Sequence, residues 1–164
     1  MIFVTIGTVE NAFTRLIDKV VDLFGDSREK VFIQSGSTNL TLSSNNIYNK
    51  NYISSNMMIS YIKKSKLVIS ALGEASLTQV VKHSKNKPIF VPRQKKFREH
   101  VDDQQLLMAS FVEQNDLGRV IYDINELDNL IKIVSPNLNK SFFNTDFYRD
   151  KLINELVNLT NTQA

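Results

Sequence analysis

Lys87-Pro88-Ile89-Phe90-Val91-Pro92-Arg93-Gln94-Lys95-Lys96-Phe97-Arg98-Glu99-His100-Val101-Asp102-Asp103-Gln104-Gln105 is the stretch on which the fold turns. Its apolar residues, bounded by Pro88 and Pro92, make a short buried strand with an abrupt stop. A basic loop follows, and Asp102 and Asp103 supply the cap and early acidic residues that open a helix. The loop therefore leaves the carboxyl end of a strand. Open α/β sheets bind their ligands at that edge, and Arg93, Lys95, Lys96 and Arg98 suit this loop to an anion such as a phosphate.

The same grammar repeats on both sides of this stretch. Ile2 to Ile6 is a β-rich apolar run ended by Gly7-Thr8, and Phe13, Leu16, Ile17, Val20, Val21 and Phe24 follow with the period of an amphipathic helix that Gly25 stops. Val31 to Gln34 is a second strand, closed by Ser35-Gly36-Ser37. The Asn- and Ser-rich segment from Ser43 to Asn56 is the least legible, and a short strand is expected near Tyr52-Ile53. A helix after Ser55 with Met58, Tyr61 and Ile62 on one side leads to the strand Leu67 to Ser70. Ser76 to Ser84 reads as a helix with Ser76 as its cap, and Asp102 to Asn115 as another with Leu106, Leu107, Phe111 and Val112 facing in. Arg119 to Tyr122 is a last strand, and helices are expected near residues 124–134 and 146–157. Such alternation predicts an α/β fold, a Rossmann-like parallel sheet with helices on both faces. Gly7, Gly36, Gly73 and the basic loop all follow strands, so four turns on one sheet edge can line one crevice.

A chain of 164 residues fits a single domain over 1–164, with a core large enough to stand alone. There are no cysteines, which excludes disulfides, thiolate metal sites and a cysteine nucleophile. Two histidines, His83 and His100, leave little for a zinc site. The apolar start is read as a strand and not as a leader, because Gly7 ends it early and no basic segment precedes it. No apolar run approaches the roughly 18 residues of a membrane span. Net charge is only +3, yet ten basic residues and one acid, Glu74, lie between Lys63 and Arg98. That imbalance suits phosphates or an anionic membrane. Nucleic acid is the weaker partner, since aromatic side chains are not interleaved with the basic stretch as a stacking platform requires.

These residues resemble the small single-domain glycosyltransferase subunits that correspond to the C-terminal, nucleotide-sugar-binding half of a GT-B enzyme. The family includes the catalytic subunit of the dolichol-linked N-acetylglucosaminyltransferase and bacterial capsule and exopolysaccharide subunits, and is related to the C-terminal domain of the lipid II synthase. The similarity is carried by Met1 to Thr8 with Glu10, Phe13, Arg15, Leu16 and Ile17, by Val31 to Gln34 with Gly36, and above all by Pro88, Val91-Pro92-Arg93, Lys95-Lys96, Glu99-His100-Val101-Asp102-Asp103 and Gln105. It runs from Met1 to about Gly118.

The resemblance implies inverting transfer of a sugar from a UDP-sugar to a polyprenyl-diphosphate-linked acceptor, in bacterial surface or exopolysaccharide biosynthesis. It implies a membrane-associated glycosyltransferase partner subunit, and a cytoplasmic chain held at the inner face of the cell membrane through that partner. No cofactor or metal is expected, the donor diphosphate being held by loop amides and a helix N-terminus. Carried onto this sequence, the donor-binding residues are Gly7, Thr8, Gln34, Gly36, Gly73, Ser76, Gln79, Arg93, Lys95, Lys96 and Gln105. Glu10 is the candidate general base, and His100 a second catalytic candidate, although a lone histidine is more often a packed or capping residue.

The chain departs from the family pattern where donor contacts are expected. The usual histidine after Gly-Thr is Val9. The donor loop, usually Ser-His-Gly/Ala-Gly-x-Gly-Ser-x-x-Glu, reads Ser70-Ala71-Leu72-Gly73-Glu74-Ala75-Ser76-Leu77-Thr78-Gln79. Gln79 keeps a carbonyl acceptor but not the charge that strengthens a hydrogen bond to ribose. Ala75 adds a Cβ where backbone approaches phosphate, and Glu74 adds a negative charge. These changes motivate an alternative, a non-catalytic homologue with a degenerate donor site that serves assembly or regulation. Phe142, Phe143, Phe147, Leu152, Leu156 and Val157 form an apolar stripe expected to pack on the domain or to enter a partner's groove.

Overall fold

The structure is a computed structural model, which describes residues 1–40 and 44–134. The expected helix over 146–157 and the stripe from Phe142 to Val157 lie outside the described residues.

In chain order the elements are β1 (Ile2–Thr5), α1 (Thr14–Phe24), β2 (Val31–Gln34), β3 (Ile47–Lys50), α2 (Ser55–Lys64), β4 (Leu67–Ala71), α3 (Glu74–His83), β5 (Ile89–Val91), α4 (Gln104–Gln114), β6 (Arg119–Val120) and α5 (Glu126–Val134). A single 3-10 turn, Lys95–Phe97, interrupts the basic loop. The strands form one six-stranded sheet in the order β3-β2-β1-β4-β5-β6. Every pairing is parallel, with Val4 beside Ile33 on one side and Ile69 on the other.

Strands with helices on both faces lose the alternation of polar and apolar residues, which is why β1, β4 and β5 read as near-continuous apolar runs. The two faces nonetheless bury different residues. Ile2, Val4, Ile33, Ile69 and Val91 pack with Leu16, Ile17 and Val20 of α1 and Leu127 of α5. Phe3, Val68 and Phe90 face the other way, against Ile62 of α2, Leu77 and Val80 of α3 and Val112 of α4. Tyr61 stacks on Phe32 at 3.9 Å between ring centroids and on Phe3 at 5.6 Å, tying α2 to the sheet.

Three expectations from the sequence are corrected. The strand expected near Tyr52-Ile53 lies earlier, at Ile47–Lys50, where only Ile47 is buried. As an edge strand it is recruited by the backbone of β2 and needs little apolar pattern of its own. In α4 the residue that faces solvent is Leu107, 74% exposed, while Gln105, Ala109 and Val112 are buried. The third concerns Ser76. Helix α3 is capped at Gly73 and starts at Glu74, so Ser76 lies within its first turn and is not the cap.

Candidate active site

β1 lies between β2 and β4, so the chain builds the sheet in one direction through β2 and β3 and in the other through β4, β5 and β6. At such a reversal the loops leaving the two central strands diverge and open a crevice at their carboxyl ends. A cleft of about 660 Å³ occupies this position. Gly7, Thr8 and Val9 after β1 form one wall; Gly73, Glu74, Ala75 and Ser76 of α3 form another; and Ile53, Ser55 and Met58 close the side toward α2.

The α3 wall presents backbone amides that are not used within the helix. Gly73 provides no side-chain cap, and the first helix amide to bond back is Leu77 N–H, to Gly73 O at 2.8 Å. The amides of Glu74, Ala75 and Ser76 thus lack intrahelical acceptors at the positive end of the helix dipole. The Ser76 hydroxyl sits between the two glycine turns, 3.8 Å from where a Cβ on Gly7 would be and 3.9 Å from one on Gly73. Ser76 is 8% exposed and its hydroxyl has no hydrogen-bond partner among the described residues, so it stands as an additional donor beside the cleft. Among the described residues, Glu74 is the only ionisable side chain lining the cleft.

Two glutamines fix the loops. The Oε1 of Gln34 accepts from Thr5 Oγ1 at 2.7 Å and from Gly7 N–H at 3.2 Å, and its Nε2 donates to Gly7 O at 2.9 Å and Asn51 O at 2.7 Å. Gln34 therefore shapes the Gly7 turn, which runs at φ +75°. Gly36 is behind that turn and outside the cleft lining; at φ +53°, a Cβ there would come within 2.9 Å of Gly7 O. Gln105 uses Oε1 to accept from Leu72 N–H at 3.2 Å and Arg93 N–H at 2.9 Å. With its oxygen committed, the amide that Gln105 offers the cleft is its Nε2 donor. Gln79 also lines the cleft, and its Oε1 is buried without a donor among the described residues.

The cations of the basic loop are placed differently. Arg93 is fully buried, with its guanidinium donating to Ile6 O, Asn11 O and Glu99 O and its face 4.7 Å from the Phe13 ring centroid. Its side chain faces the protein interior and is absent from the cleft lining. Burial pushes its pKa down to about 10, with Glu99 acting the other way, which leaves it charged at neutral pH. Lys95 and Lys96 are exposed on the 3-10 turn, away from the cleft lining, and Lys96 Nζ rests over Phe97.

The two catalytic candidates are not brought to the cleft either. Glu10 is exposed, and its backbone carbonyl accepts from Ser37 Oγ at 2.6 Å. His100 pairs through Nδ1 with Asp102 Oδ1 at 2.8 Å. The amide of Gln104 and this histidine hold the Asp102 carboxyl below the usual carboxylate range. Asp102, more than Asp103, thereby serves the start of α4.

The cleft gathers Gly7, Thr8, Gln34, Gly73, Ser76, Gln79 and Gln105 from the predicted set. Sequence reasoning missed Ile53, Ser55, Met58 and Thr78, which also line it. Two of these, Ile53 and Ser55, follow the edge strand in the Asn- and Ser-rich segment, where no periodic signal points inward. Among the described residues no group of three or more acidic or histidine side chains is placed to hold a metal ion. No helix among them is long and apolar enough to cross a membrane.

No curated protein matches the chain in sequence. Among solved structures, the chain is similar to one described as the glycotransferase of kitacinnamycin, with a TM-score of 0.64 and 13% identity, over 92% of this chain and 38% of that one. It is likewise similar to MurG of Acinetobacter baumannii, with a TM-score of 0.59 and 16% identity, over 89% of this chain and 43% of that one. The chain thus spans less than half the length of either protein, and at these identities the likeness speaks for the fold. The model of the glycosyltransferase family 28 C-terminal domain matches residues 1–147. On that match the chain belongs to the glycosyltransferase family 28 C-terminal domain family.

Proposed function

We propose that the chain is the donor-binding subunit of a glycosyltransferase. It binds a UDP-sugar in the cleft between β1 and β4, and with a membrane-associated partner subunit transfers the sugar, with inversion, to a polyprenyl-diphosphate-linked acceptor. The observation that carries this reading is the start of α3, where the Gly73 cap offers no side chain and three amides without intrahelical acceptors and the Ser76 hydroxyl lie together at the strand-order reversal. The diphosphate rests on those amides, the Gln105 Nε2 donor reaches the sugar or diphosphate, and Gln79 Oε1 accepts from a ribose hydroxyl. No metal is required for the binding. The partner supplies the acceptor-side wall and the general base, since neither Glu10 nor His100 lines the cleft. The complex works at the inner face of the cell membrane, in surface or exopolysaccharide synthesis.

Calorimetric titration with UDP and a panel of UDP-sugars tests the donor half of this reading. Binding that is weakened by Ser76→Val and Gln105→Leu is expected, and absence of binding to every nucleotide sinks it. The second half is tested by mixing chain, partner, UDP-sugar and lipid-linked acceptor and looking for transfer. A second reading, a non-catalytic assembly or regulatory subunit, is favoured by Glu74, whose negative charge lines the cleft that would receive a diphosphate. Nucleotide binding that vanishes in the cleft variants, together with transfer in the complex, overturns it.

A further inference from the structure

The basic loop looked like a set of ligand-facing cations, and its first member has a different place. Arg93 Nη2 donates to Ile6 O at 3.0 Å and Nη1 to Asn11 O at 2.7 Å, the two ends of the segment that carries Gly7, Thr8 and Val9 along the cleft wall. Its backbone N–H donates to Gln105 Oε1, which turns the Gln105 amide toward the cleft. One residue therefore holds two cleft walls that come from opposite halves of the sheet.

The clasp is locked from outside. Glu99 takes a bidentate pair from Arg15 at 2.8 and 2.9 Å and also accepts from Gln94 N–H at 3.1 Å. Its own carbonyl receives Arg93 Nη1 at 2.9 Å. Arg15 reaches Pro92 O as well, at 3.1 Å, so it ties α1 to the loop that begins at the end of β5. Planar guanidinium groups suit such work because each offers several donors in a fixed fork, which a lysine ammonium cannot copy.

We propose that Arg93 is the positioning residue of the cleft, holding the segment from Ile6 to Asn11 and the Gln105 amide in their binding geometry without touching the ligand. Its part in ligand affinity rests on the reading of the cleft as a UDP-sugar site; its part in holding the loop does not. The substitution Arg93→Lys keeps the charge and removes the fork. Val112→Ala, in the core of α4 beyond the cleft lining, supplies a destabilised control.

Two measurements on the full chain decide the matter, both at a temperature where circular dichroism shows each variant folded. In the first, native-state amide exchange is followed at Gly7 and Phe13, whose N–H groups are bonded to Gln34 Oε1 and Thr38 Oγ1. Arg93→Lys is expected to speed both by about tenfold or more while leaving the β2 amides within about twofold, the pattern of local opening. In the second, UDP affinity is expected to fall by about tenfold in Arg93→Lys and to stay within about twofold of the parent in Val112→Ala. Unchanged exchange in Arg93→Lys overturns the proposal, as does an equal affinity loss in the control. If the parent chain binds no UDP, the donor reading fails and the exchange result alone decides the positioning role. Should Arg93→Lys not fold, Glu99→Gln, which weakens the lock from outside, is expected to accelerate exchange at the same two amides, and no acceleration overturns the proposal.

Discussion

Replacing Gln34 by leucine removes the side-chain amide that ties the end of β2 to the Gly7 turn. Four hydrogen bonds disappear, to Thr5 Oγ1, Gly7 N, Gly7 O and Asn51 O, at 2.7, 3.2, 2.9 and 2.7 Å. Gln34 is 4% exposed and Thr5 1%, so water replaces few of these partners without rearrangement. With about 1 kcal/mol per net bond, and part of the Gly7 N–H loss recovered through Thr5 Oγ1, the substitution costs about 3 kcal/mol. Against a total stability of roughly 5–15 kcal/mol for a domain, that is a large fraction. In urea denaturation the midpoint is expected to fall by about 1–3 M with an unchanged slope.

Gln34→Glu tests the same network through pH. Its carboxylate would face the carbonyls of Gly7 and Asn51, so the folded state raises its pKa above the unfolded value of about 4.3. A raised folded pKa means that stability is retained below the unfolded value and lost as pH rises through the folded one. The glutamate variant should therefore approach the parent near pH 4 and weaken toward neutrality. A loss below about 1 kcal/mol for Gln34→Leu, or a pH-independent loss for Gln34→Glu, refutes the claim that this amide holds the Gly7 turn.

Three further outcomes follow from individual side chains. Glu74→Gln removes the one charge that lines the cleft among the described residues, and UDP affinity is expected to rise by about fivefold at low salt and less at 1 M salt, measured by calorimetry. Gln105→Leu leaves Leu72 N–H and Arg93 N–H without their acceptor, so it should cost about 2 kcal/mol in urea melts and weaken UDP binding as well. The lowered pKa of Asp102 means that it supports α4 above the ordinary carboxylate range and loses that role as pH falls through its depressed value. Asp102→Asn is thus expected to lower the melting temperature at about pH 7 and to leave it unchanged at about pH 2, by differential scanning fluorimetry.

The fold was legible in the sequence because strands buried on both faces leave near-continuous apolar runs, as in Ile2 to Ile6 and Leu67 to Ala71, and because helix α1 carries a clear period. The edge strand at Ile47–Lys50 was misplaced for the converse reason, since Tyr48 and Lys50 are exposed and backbone pairing alone recruits them. The glycine turns were read from their position after strands and Gln105 from the family pattern; of these, Gly7, Gly73 and Gln105 line the cleft. Arg93 was not readable in this way. A basic residue in a basic loop gives no local sign that it will be buried, and its partners Ile6, Asn11 and Glu99 are backbone carbonyls, to which sequence identity is almost silent. Glu10 and His100 were named for their chemistry, and chemistry alone did not carry them to the cleft.

The central claim, that the cleft at the start of α3 receives the diphosphate of a UDP-sugar, is tested most directly by a crystal structure of the chain grown with UDP. The account predicts phosphate oxygens on the amides of Glu74, Ala75 and Ser76, the Ser76 hydroxyl donating to one of them, and Gln105 Nε2 turned toward the nucleotide. An empty cleft at saturating UDP, or nucleotide bound at the basic loop instead, contradicts it.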